Sequence, residues 1–100
     1  MNSAFQLKYK KARILYSAAL MVEQSTYPDY NRSYGYSNKF IGKLFNFIFS
    51  AKSYDDQLEL SNDEILQAAK VMDTLPYRDS DQKQLWMVLM LLSKITYSGD

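Results

Sequence analysis

Chain breakers are scarce in this sequence and sit almost wholly between apolar segments. Of its two prolines and three glycines, Pro28 and Gly35 share one polar stretch, Pro76 follows a later apolar run, Gly99 lies near the end, and only Gly42 interrupts an apolar run. In the uninterrupted stretches apolar residues recur at three- and four-residue steps, the spacing that gathers them on one face of an α-helix. The sequence therefore predicts an all-α single domain over residues 1–100, a four-helix bundle with an irregular tyrosine-rich loop between the first and second helices.

The first helix is expected over 4–24, opened by Ser3 and Gln6 as a capping box, with Phe5, Tyr9, Ala12, Tyr16, Ala19 and Leu20 as its buried stripe. A second is expected over 38–51, where Phe40, Ile41, Leu44, Phe45, Phe47, Ile48 and Phe49 cover more than half the circumference. Phe45, Phe47 and Phe49 also alternate as a strand would, with Leu58-Glu59-Leu60 as the partner, but so dense an apolar set favours a helix over a strand with one wet face. Ser61-Asn62-Asp63-Glu64 has the form of a capping box, flanked by Leu60 and Ile65 as a hydrophobic staple, and starts a third helix that buries Ile65, Ala68, Ala69, Met72 and Leu75 before Pro76 stops it. Asp79 or Ser80 then caps a fourth helix reaching about Tyr97. Its eight successive apolar residues, Leu85 to Leu92, imply burial on every side, inside the bundle or against a second copy.

Composition removes several kinds of chemistry. With no cysteine there is no disulfide, thiolate nucleophile or cysteine metal site, and with no histidine the chain lacks the side chain that titrates near neutrality and the commonest transition-metal ligand. Asp55, Asp56, Glu59, Asp63 and Glu64 form an acidic group, but no glycine falls where a calcium loop needs its sharp turn, so a solvated loop and helix start is expected. Three glycines far apart make no phosphate-cradling loop. The expectation is a protein that is not an enzyme and holds no metal and no cofactor.

Net charge is +1, yet residues 1–50 carry seven Lys/Arg against two acids and residues 51–100 carry five against nine, balances of +5 and −4 that a folded domain can neutralise internally. Lys8, Lys10, Lys11 and Arg13 ahead of the apolar run Ile14 to Val22 imitate a signal peptide. Glu23 and Gln24 follow without a small-x-small cleavage site, and the run is too short for a bilayer, so a buried helix in a cytoplasmic protein with no membrane span is expected. Asn31-Arg32-Ser33 matches a glycosylation acceptor only by chance on this reading.

Two binding surfaces stand out. Tyr27, Tyr30, Tyr34 and Tyr36 fall within ten residues together with Arg32, Ser33, Gly35 and Asn31, a mixture of rigid aromatic area and adaptable hydrogen bonding that suits a protein-binding loop. The alternative is nucleic acid held by Lys8, Lys10, Lys11, Arg13, Lys39 and Lys43, with phosphates on the cations and bases stacked on tyrosines. Trp86, Met87 and Met90 are expected in the core, and the large apolar surface of the second and fourth helices also admits a homodimer or a buried partner interface.

The stretch Phe40-Ile41-Gly42-Lys43-Leu44-Phe45-Asn46-Phe47-Ile48, followed by Leu58, Leu60-Ser61 and Ile65, resembles the third and fourth helices of the small four-helix immunity proteins that protect producers of pediocin-like bacteriocins. It spans about a third of the chain. The chain departs from that pattern with a tyrosine-rich loop where the family is helical and an apolar C-terminal helix where the family has a tail. The leading expectation is a stoichiometric protein-binding factor, an inhibitor of a host defence or nucleic-acid-processing machine of the kind phages and plasmids encode, acting through Tyr27, Tyr30, Arg32, Tyr34 and Tyr36.

Overall fold

The computed structural model of the chain describes residues 5–24 and 38–98, with the side chains of 23, 24, 38 and 96–98 outside that set. The elements run β1 (Phe5–Lys8), α1 (Tyr9–Gln24), α2 (Asn38–Ser50), β2 (Gln57–Leu60), α3 (Asn62–Thr74) and α4 (Ser80–Ser98). The fold is mostly helical, four helices with one small two-stranded sheet, and so close to all-α. No helix among the described residues is long and apolar enough to cross a membrane.

The first helix starts later than its periodicity predicts. Phe5-Gln6-Leu7-Lys8 is a strand, antiparallel to β2 in the register Phe5↔Leu60, Gln6↔Glu59, Leu7↔Leu58 and Lys8↔Gln57. Its alternation is visible once the partner is known: Gln6 and Lys8 face water while Leu7 is fully buried beside an equally buried Leu60. Gln6 thus belongs to the ladder and starts no helix; Ser3, its expected capping partner, lies outside the described residues. Tyr9 donates its N–H to the Asp56 carbonyl at 3.2 Å, extending the pairing by one residue as the helix begins. Leu58 to Leu60 do form a strand, but Phe45, Phe47 and Phe49 are helical and do not pair with it.

α1 buries Ala12, Leu15, Ala18, Ala19 and Val22, with Tyr9, Tyr16 and Leu20 only half covered. The small side chains let this helix lie against α2, α3 and α4 in turn. Phe40 and Leu44 of α2, Ile65, Ala68, Val71 and Met72 of α3, and Leu85 and Leu89 of α4 complete the core, and no polar or charged residue is buried among the described residues.

The starts of α3 and α4 follow the sequence closely. Ser61 Oγ accepts the Glu64 N–H at 3.2 Å and Glu64 Oε1 accepts the Ser61 N–H at 2.9 Å, so each side chain satisfies a donor the helix leaves open. Asp79 and Gln82 repeat the exchange at the start of α4, at 2.8 and 3.0 Å. The α3 end is closed by Arg78, whose Nη1 donates to the carbonyls of Met72 and Leu75 at 3.0 and 3.1 Å while its guanidinium lies 4.3 Å from the Trp86 ring centroid. Trp86 in turn donates to Asp73 Oδ1 at 3.2 Å, which makes it a half-covered clasp between α3 and α4.

Burial on every side of α4 is not what the fold provides. Leu85 and Leu89 are buried, but Met87, expected in the core, is 52% exposed, and Val88, Leu91 and Ile95 are 41%, 63% and 61% exposed. Among the described residues α4 packs against α3 and, less extensively, α1, which cover one of its sides.

Candidate binding surface

Helical spacing brings a set of aromatic rings to the surface where α1 meets α2. On α2, Phe45 and Phe49 are one turn apart and lie far around the helix from Phe40 and Leu44, which face the core. Their ring centroids are 4.5 Å apart at 59°, and Phe45 meets Tyr16 of α1 at 6.0 Å. A second group adjoins the first strand: Tyr9 lies 6.4 Å from Phe47 and 5.6 Å from Tyr54, again tilted. These distances and tilts are those at which the positive ring edge of one aromatic meets the negative face of another. Arg13, one turn beyond Tyr9, places its guanidinium 5.8 Å from that ring's centroid, within cation–π range.

Exposure separates three of these rings from core filling, whereas Tyr16 and Phe47 also pack against the core. Phe49 is 77% and Tyr54 79% exposed, with Phe45 at 40%. Tyr54 is carried by a tight turn in which Asp56 Oδ2 accepts the Lys52 N–H at 2.8 Å and Ser53 Oγ accepts the Asp55 N–H at 3.0 Å. The Asp56 carboxylate and the Ser53 hydroxyl therefore shape the turn, and among the described residues no group of carboxylates could hold a metal ion. Beside Tyr9 and Tyr54 an open depression of about 320 Å³ is lined by Ala51, Lys52 and Ser53 as well. The surface offers flat apolar faces, phenol hydroxyls and two neighbouring cations, which suits contact with another molecule.

Tyr27, Tyr30, Arg32, Tyr34 and Tyr36 lie outside the described residues. Their segment joins the end of α1 to the start of α2, the two helices that carry the aromatic set. The six cations of the nucleic-acid reading are distributed over several elements. Lys8 projects from β1 and is exposed, Lys11 is half-buried, and Lys39 is exposed on α2. Lys10 and Arg13 line a depression of about 380 Å³ together with Asp79 and Asp81, and Lys10 pairs with Asp81 at 3.9 Å across exposed side chains. Lys43 is engaged with Glu64 at 2.6 Å and with the Glu59 carbonyl at 2.9 Å.

Phe45, Phe49 and Tyr54 are the surface residues the sequence reading did not single out, and it assigned Tyr9 and Tyr16 to a buried stripe. A signal was present for the phenylalanines. Seven large apolar residues on a helix of 13 exceed what one face can bury, so two of them had to stand outside. Comparison with family models, with characterised proteins and with solved structures finds no match to this chain.

Proposed function

We propose that this chain is a cytoplasmic, non-enzymatic protein-binding factor that docks by aromatic contact through α1, α2 and the segment between them. The observation that supports it is the ring set of Tyr9, Tyr16, Phe45, Phe49 and Tyr54, two of whose members leave more than three-quarters of their surface in water. Rigid aromatics flanked by arginine are the residues that most often dominate the energy of protein interfaces. Tyr27, Tyr30, Arg32, Tyr34 and Tyr36, on the segment from the end of α1 to the start of α2, would add the same residue chemistry. Stoichiometric inhibition of a host defence or nucleic-acid-processing machine, in the manner of small phage- or plasmid-encoded proteins, is the activity such a surface suits, because blocking a partner requires contact area and no reacting group.

Co-purification from the native host with the chain as bait, followed by titration of the captured protein, tests this. Phe49→Ala, Tyr54→Ala, Tyr34→Ala and Arg32→Ala should each weaken binding by about 1–3 kcal/mol where they act as anchors. Undiminished capture by the fourfold variant would end the proposal. Arg13 over Tyr9, with Lys52 beside Tyr54, favours single-stranded nucleic acid as the second reading. Salt separates the two: phosphate contacts weaken steeply between low and physiological ionic strength, and aromatic protein contacts hardly change.

A further inference from the structure

We infer that the outward side of α4 is the contact between two copies of this chain. α4 is apolar on two sides. Leu85 and Leu89 turn into the core at 1% and 0% exposure, whereas Met87, Val88, Leu91 and Ile95 stand 41–63% in water. Steps of three and four residues set those four on one stripe, on the far side of the helix from Leu89. An apolar helix face is ordinarily covered, and among the described residues α3 and α1 cover only the Leu85–Leu89 side of this one.

A second copy fits this stripe for three reasons. The stripe itself, Gln84, Met87, Val88, Leu91 and Ile95, includes no charge, and Lys83 and Lys94, exposed at its Met87 edge, stay at the solvated rim when two identical stripes meet. The net charge of +1 leaves no long-range repulsion between copies. Val88, Leu91 and Ile95 follow a three-then-four spacing with a leucine between two β-branched residues, the seam that pairs helices in two-stranded coiled coils. The stripe runs little beyond one heptad. Four side chains on one helix fall short of the ~800 Å² each partner contributes to a standard stable interface, so the dimer is weak and concentration-dependent.

Sedimentation velocity on the full chain from about 1 to about 500 µM reads this directly, since weak association of this size falls in that range. The mass should rise from one chain toward two. Leu91→Lys and Ile95→Lys, each placing a charge in an apolar contact, should each move the midpoint to at least about tenfold higher concentration. Both positions are more than half exposed, so these variants should keep the wild-type thermal unfolding curve when all are dilute monomers. A single-chain mass at every concentration overturns the inference and leaves the stripe to a different protein. A dimer that neither lysine weakens overturns it as well, by placing the contact elsewhere.

Discussion

Lys43 Nζ lies 2.6 Å from Oε1 of Glu64, and that one oxygen also accepts the Ser61 N–H at 2.9 Å. The same ammonium donates to the Glu59 carbonyl at 2.9 Å. A single side chain on α2 thereby reaches the strand β2 and the capping box that starts α3, joining three elements that follow one another along the chain. With Glu64 mostly covered, the contact is better shielded from water than the exposed Lys10–Asp81 pair.

The pair makes stability depend on acidity. Burial alone would raise the Glu64 carboxyl, but the Lys43 hydrogen bond, the Ser61 N–H and the ammonium charge outweigh it and hold the group below its ordinary 4.5. A depressed carboxyl contributes fully above its unfolded value, and the contribution is lost as pH falls through the lower folded value. Glu64→Gln should cost about 1 kcal/mol at neutral pH, and its gap to wild type should close as pH falls below the ordinary carboxylate range, as read by urea midpoints. A gap that stays constant with pH would show that the charge contributes nothing.

Gly42 sits inside α2, and a methyl group added there would meet nothing within 4 Å. Gly42→Ala should therefore stabilise the protein by roughly 0.5–1 kcal/mol through the lower entropy cost of ordering alanine in a helix. Thermal unfolding checks it. A lower midpoint would mean that the open backbone at this point is used by something else.

Arg78→Ala removes two bonds to the last carbonyls of α3 and the cation stacked on Trp86. The expected loss is about 1–2 kcal/mol, with only part of it recovered by Arg78→Lys, since an ammonium cannot bridge two carbonyls while lying flat on an indole. Trp86 fluorescence should report the same substitution, because its ring loses a neighbour on one face.

Leu44 and Phe49 belong to the same helix and should respond oppositely to truncation. Leu44 is fully buried, so Leu44→Ala should cost about 2–5 kcal/mol of stability. Phe49 is 77% exposed, so Phe49→Ala should stay within about 0.5 kcal/mol in chemical denaturation while weakening capture of the partner. A large stability loss at Phe49 would return that ring to the scaffold.

Signals that act over a few residues could be read without a structure. The Ser61–Glu64 box, the stop at Pro76, the cap at Asp79 and the buried face of α3 all depend on backbone donors and side chains within a turn or two of each other, so the sequence contains both partners. The first strand could not be found this way. Phe5 continues the spacing of Tyr9, Ala12 and Tyr16, and only a partner some fifty residues later makes alternation the better use of Leu7. The tyrosine-rich segment was conspicuous by composition, whereas the aromatic set on α1 and α2 was not, because its rings come from three separate stretches.

The chain by itself determined that helices would form, where most of them begin and end, and which of them carry more apolar surface than one face can hold. Those properties follow from periodicity and capping, which are local. Only the tertiary structure decided that Phe5–Lys8 pairs with Gln57–Leu60, that Lys43 is tied to Glu64, and that Phe45, Phe49, Leu91 and Ile95 are left in water. Hydrophobicity has no direction, so an apolar residue announces that it favours burial without saying which neighbour will cover it.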